Sequence, residues 1–293
     1  MHLGDYQRRT RRTDQRQGAE PEDVIAHLLG LVSEVGSVAA QYRKTLRDGA
    51  AHLEAKSRMR EELGDALWYL AAMATTLDLD LEDVAVANLE RTADRWLGSE
   101  PGRRVLFDAA FPEQERLPRR ARFDFVTHVD PQGRAVTRLL LDGRQVGDAL
   151  TDAAHVSDGY RFHDAFHLAH AALLGWSPLL RKLLGTKRRS DPRIDEAEDG
   201  GRAIVIEEGV AALVFAYAAS HDYLRGVQRL DQHLLETIRR LVAPLEVSIR
   251  SAADWEQAIL AGFRVWNHLR DHDGGSVLLE MERGTLEVLA PEG

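Results

Sequence analysis

Glu61-Glu62-Leu63-Gly64-Asp65-Ala66-Leu67-Trp68-Tyr69-Leu70 is the stretch on which the reading of this chain turns. Leu63, Leu67 and Leu70 fall at i, i+4 and i+7, the apolar stripe of a helix, while Glu62 and Asp65, three residues apart, share its polar edge. Carboxylates beside an apolar seam must be paired or must hold a cation, because an unpaired buried charge is strongly unfavourable. Upstream, Gly30-Leu31-Val32-Ser33-Glu34-Val35-Gly36-Ser37-Val38-Ala39 reads as a second helix with a matching acid, Glu34. The two helices are suited to face each other across a hard metal ion.

At these residues the sequence resembles the MazG-type, all-α nucleoside triphosphate pyrophosphohydrolases, whose signature is Glu-x-x-Glu on one helix and Glu-x-x-Asp on the next. Glu62-Leu63-Gly64-Asp65 matches the second half; the first reads Glu34-Val35-Gly36-Ser37, with Ser37 in place of an acid. The similarity runs from about Asp5-Tyr6-Gln7 through Asn88-Leu89-Glu90-Arg91 to Arg95, roughly the first third of the chain.

The resemblance implies Mg²⁺ (or Mn²⁺) bound by Glu34, Glu62 and Asp65, and hydrolysis of a nucleoside triphosphate to the monophosphate and pyrophosphate. In that picture Arg91, with Lys44 or Arg95, meets phosphate oxygens, Asn88 bonds phosphate or sugar, and Glu61 is exposed or stands behind the ligands. It also implies a homo-oligomer, dimer or tetramer. Phosphoryl chemistry is largely positioning and charge neutralisation, which a cation held on rigid helices supplies. The alternative reading rests on Ser37: losing one charge and one strong ligand leaves a nucleotide sensor with little turnover, whose C-terminal domain is the effector or a second metal-dependent phosphohydrolase.

At 293 residues the chain is of the size at which one core gives way to two. No apolar run reaches the ~18 residues of a bilayer span without a charge interrupting it, and Met1-His2-Leu3-Gly4-Asp5 lacks the apolar segment of a secretory signal, so a cytoplasmic protein with no membrane partner is expected. With no cysteine, any metal must be held by histidine and carboxylate. A formal net charge of −9 argues against general nucleic-acid binding and favours free nucleotides.

In chain order, a short polar helix is expected from Asp5 to about Gln17, then one from Pro21 to about Arg47, one from about His52 to Thr76 and one from Leu81 to Trp96; four helices pack most economically as a bundle. Gly98-Ser99-Glu100-Pro101-Gly102 marks the junction, giving domains 1–98 and 103–293. Beyond it, 122–129 alternates as a strand and 135–141 answers it, helices follow from Ser157 to about Arg270, and the tail forms a hairpin that joins the first. The expected class is therefore mostly α: a four-helix MazG-like domain followed by a mainly helical α+β domain with a small antiparallel sheet.

The second half carries a second candidate site. His163, His167 and His170 fall at i, i+4 and i+7 with Asp164 beside them, next to the core stripe Phe162, Phe166, Ala169 and Leu173. Glu207 and Glu208 are the only charges of the apolar segment 203–220, so they require partners. Two readings stay open: hydrogen-bonded ion pairs, or a second divalent metal on His163, His167 and Glu208 with Asp199 or Glu207 behind them. Lys187-Arg188-Arg189 reads as a solvated loop. This half is similar to a helical domain that accompanies some MazG-type domains, a resemblance that carries no activity.

Overall fold

The computed structural model describes residues 1–16, 18, 20–49, 54–99 and 105–290. The chain forms two compact units, 1–93 and 94–293.

The first unit contains α1 (Leu3–Thr10), α2 (Pro21–Asp48), α3 (Ala55–Thr76) and most of α4 (Leu81–Trp96). Pro21 opens α2 with Glu22 and Asp23 in its first turn, where a missing N–H costs nothing and negative charge suits the helix dipole. α1 is shorter than expected, since the chain leaves the helix at Arg11; residues 50–53, which include the expected start of α3, lie outside the described residues.

α2 and α3 form the main helix pair of the unit, and α1 lies on α3. The α2–α3 approach is close at Gly30, where a Cβ would stand 2.1 Å from Cε1 of Tyr69, so only glycine fits. His27 ties the α1–α2 connection to the end of α3: its Nε2 meets Asp14 at 3.2 Å and its Nδ1 meets Thr76 Oγ1 at 3.1 Å. The small core is Ala71, Ala74 and Leu81 with Leu3 and Tyr6 against it.

The expected apolar stripe of α3 is not covered within this unit. Leu63 is 53% exposed and Leu70 41%, whereas the alanines Ala66, Ala71, Ala72 and Ala74 are buried. On α2, Ile25, Leu28, Leu29, Val32 and Val35 are exposed as well. By length and composition α2 could cross a membrane, with a mean hydropathy of 1.4 over eighteen residues, but the charge interrupting that run is Glu34, which joins a cluster of acids.

The second unit is an antiparallel sheet of order β3-β2-β1-β4-β5 against helices. Its strands are β1 (Arg120–Val129), β2 (Ala135–Leu141), β3 (Arg144–Leu150), β4 (Gly274–Glu280) and β5 (Thr285–Val288). β1 pairs with both hairpins, placing Phe123 opposite Leu141 on one side and Val277 on the other. The tail thus joins the first hairpin as expected. β3 is an addition: only Val146 of it is buried, so the alternation is faint, although Asp142-Gly143 with φ of 50° and 74° forms the left-handed turn that returns the chain.

Between the hairpins lie α5 (Asp164–Ala169), which continues as a π turn (His170–Leu174), α6 (Pro178–Leu184), α7 (Pro192–Ala197), α8 (Gly201–Ala219), α9 (Gln232–Val242) and α10 (Ala252–His272). α10 begins with a capping box between Ser251 and Asp254 and packs on α5, its continuation, and β4. Phe123, Phe162, Trp176, Trp255, Phe263 and Trp266 are fully buried at the centre.

Arg188 overturns the expectation of a solvated loop. It is 1% exposed, held by Asp199 at 2.7 Å and Glu246 at 2.6 Å, while Arg181 pairs with Asp108 at 2.8 Å. Asp199 is consumed by this network and is not available behind the histidines. Arg188, Asp199, Arg181 and Asp108 are tolerable at this depth because each has a partner of opposite sign.

Candidate functional site

In the first unit Glu34 of α2 and Glu62 and Asp65 of α3 converge, with one carboxylate oxygen from each lying within 4.8 Å of the others. The i, i+3 spacing places Glu62 and Asp65 on one edge of α3, and the close α2–α3 approach at Gly30 brings Glu34 to that edge. Glu34 and Glu62 are half-buried and Asp65 is exposed. Among the described residues none of the three forms an ion pair or hydrogen bond, so three like charges share a space with no protein cation to offset them. This donor set of hard oxygens fits Mg²⁺ or Mn²⁺. Ser37 lies half-buried one turn along α2 from Glu34.

The remaining first-site candidates divide. Lys44, Asn88 and Arg91 are exposed, and among the described residues their side chains form no hydrogen bond or ion pair. Lys44 lies ten residues beyond Glu34, about 15 Å along α2 at the helical rise. Arg95 is committed elsewhere: it belongs to the second unit, donates to Glu256 and to the Leu230 carbonyl at 3.1 Å each, and lies over Trp96. Its guanidinium is thus engaged within the second unit. Glu61 is exposed, as expected.

A groove of about 480 Å³ between α2 and α3, lined by Tyr42, Thr45, Lys56, Met59, Arg60 and Leu63, was not read from the sequence. Met59 lies one turn before Glu62 on the same edge of α3, so the groove adjoins the acids. The basic pair Lys56 and Arg60, at i and i+4, was the signal that could have found it.

In the second unit the histidine face is built into the core. Beyond the expectation of a place beside the core, His167 is 1% exposed and His170 2%. Glu207, fully buried on α8, accepts from His167 Nδ1 at 2.9 Å, His170 Nδ1 at 3.2 Å, Ser177 Oγ at 2.7 Å and the Leu179 N–H at 2.9 Å. A carboxylate only accepts, so both histidines must carry their proton on Nδ1 toward it. Burial alone would raise Glu207, but the His167 and His170 rings override it and hold it at about 2. Burial would lower His167, and the two glutamates reverse that, raising it to about 10.

The other ring nitrogens face a different space. His163 donates from Nδ1 to the Tyr160 carbonyl at 3.0 Å, its ring stacked on that of Tyr160. Its Nε2 stands 3.9 Å, and that of His167 3.6 Å, from Oε2 of Glu208. Asp164, 7% exposed, brings an oxygen within 4.8 Å of ring nitrogens of His163 and His167.

Three acids brought together on adjacent helices of a helical unit form a cluster able to hold a divalent metal ion. Two family models match the chain, the MazG nucleotide pyrophosphohydrolase domain over residues 22–96 and the MazG C-terminal domain over residues 102–292. The chain belongs to the MazG family of nucleotide pyrophosphohydrolases. It is 37% identical over 101 residues to the Gene 37 protein of Mycobacterium phage L5, a match covering 32% of this chain and 89% of the phage protein. No solved structure matches it.

Proposed function

We propose that the first unit hydrolyses a nucleoside triphosphate to the monophosphate and pyrophosphate at Glu34, Glu62 and Asp65. The observation that carries this reading is the convergence of these three carboxylates within 4.8 Å, without a protein cation between them. Mg²⁺ or Mn²⁺, when bound, supplies charge neutralisation on the phosphates and an acidified water. Glu34, Glu62 and Asp65 hold the cation and fix its place relative to the α2–α3 groove. In that groove Lys56 and Arg60 offer cations to phosphate oxygens and Tyr42 an aromatic face to the nucleoside. Asn88, Arg91 and Lys44 are further contacts of the same chemistry. One water enters, the bond between the α- and β-phosphates breaks, and pyrophosphate leaves.

The apolar faces of α2 and α3 support the oligomer in this reading. Ile25, Leu29 and Val32 recur at i, i+4 and i+7, and all three are more than half exposed, a stripe that a second copy would cover. The nucleotide pool of a cytoplasm is the matching source of substrate.

The test is a product assay with Mg²⁺ or Mn²⁺ across ribo-, deoxyribo- and modified nucleoside triphosphates, comparing wild type with Glu62→Gln. Monophosphate and pyrophosphate in equal amounts are expected, with a loss of at least about 100-fold in the variant, since even partners behind a ligand are worth ~10–100-fold. Tight binding by the wild type without turnover would overturn the reading in favour of a sensor disabled at Ser37.

A further inference from the structure

Of the two groups that the buried histidines form, one is closed. Glu207 is fully buried and already accepts four hydrogen bonds, three on Oε1 and one on Oε2, that tie it to protein donors. The triple of His167, His170 and Glu207 is therefore a structural knot that orients rings. The group on the other side of His167 is open. Its Nε2 is buried with no hydrogen bond, its nearest acceptor being Glu208 Oε2 at 3.6 Å, and Asp164, buried beside it, makes neither a hydrogen bond nor an ion pair among the described residues. A loosely satisfied ring nitrogen and an unpaired buried acid at one point are costly unless something fills the space between them.

We infer that the second unit binds a divalent first-row transition metal through Nε2 of His163, Nε2 of His167 and a carboxylate oxygen of Asp164, with Glu208 as the fourth ligand. Both histidines have the arrangement that metal-ligating histidines need: Nδ1–H is fixed by an acceptor, the Tyr160 carbonyl in one case and Glu207 in the other, so that Nε2 points outward in a fixed direction and, once the metal displaces any proton it carries, presents its lone pair there. Metal–ligand bonds of ~2.0–2.2 Å at a tetrahedral angle separate ligands by about 3.3–3.6 Å. The Nε2-to-Glu208 separations of 3.6 and 3.9 Å need only a small inward movement of Glu208, whose side chain is 39% exposed and free to make it. Two imidazoles select Zn²⁺, Mn²⁺, Fe²⁺ or their congeners over Mg²⁺, which prefers oxygen throughout.

This site is independent of the acids in the first unit and is tested with them disabled. Full-length chain carrying Glu62→Gln is titrated with Co²⁺, followed by its visible absorption, and with Zn²⁺ by calorimetry. One equivalent per chain is expected. Adding His163→Ala or Glu208→Gln should weaken it at least tenfold while the far-ultraviolet circular dichroism is unchanged. Failure of the Glu62→Gln chain to bind either ion, or equal affinity in the added variants, overturns the assignment. Glu208→Gln changes a partly exposed side chain, so it decides the matter should His163→Ala not fold.

Discussion

Tyr69 packs against Gly30, so close that a methyl group at residue 30 would stand 2.1 Å from its Cε1. The contact sets the approach of α2 to α3, and with it the meeting of Glu34 with Glu62 and Asp65. Gly30→Ala must push the helices apart or turn the Tyr69 ring. A cost of about 1–3 kcal/mol is expected in chemical denaturation, with a loss of activity larger than the stability change explains. Tyr69→Ala combined with Gly30→Ala should recover much of the stability, because the space is then available.

Ser37 is one turn from Glu34 and half-buried. Ser37→Glu supplies a fourth carboxylate to the cluster, and the Mg²⁺ concentration for half-maximal activity should fall at least about tenfold. An unchanged or raised requirement in a metal titration would show that residue 37 does not reach the cation.

Asp108 is fully buried between Arg181 at 2.8 Å and Arg119 at 2.7 Å. Burial pushes its carboxyl up, but the two guanidinium groups and the Leu117 N–H outweigh it and hold it below the ordinary 3.8. A carboxyl lowered by folding stabilises the native state above its unfolded value, and that contribution is lost as pH falls through the lower folded value. Wild-type stability should therefore decline on acidification below about pH 4. Asp108→Asn should cost about 3–5 kcal/mol at neutral pH, because Arg181 is left buried with one partner fewer, and should flatten the acid limb of the profile. Urea unfolding at neutral and acid pH measures both.

Leu29 and Val32 are 63% and 62% exposed on α2. Replacing either with Asp should leave the helical content of the chain intact and reduce its mass in light scattering to that of a monomer. An unchanged mass would show that no subunit contact runs through this face.

The helices, the acid spacing and the first hairpin were legible because each is a matter of local period. A helix puts Glu62 and Asp65 on one edge whatever surrounds it, and alternation marks 122–129 as a strand without reference to its neighbours. β3 escaped because a strand with one buried side chain has almost no alternation to read, and its Asp142-Gly143 turn was the remaining signal.

Roles that depend on which partner arrives from far along the chain were set only by the tertiary structure. Glu207 and Glu208 are adjacent and alike in sequence, yet the turn of α8 buries one under four donors and leaves the other, partly exposed, facing Nε2 of His163 and His167. Arg188 in a loop and Arg95 at a helix end read as solvent-facing or phosphate-binding cations, and Asp199, Glu246 and Glu256 take them instead. Sequence spacing determines the direction in which a side chain leaves its own helix; the charge it meets there depends on packing between segments tens of residues apart, and no local pattern encodes that.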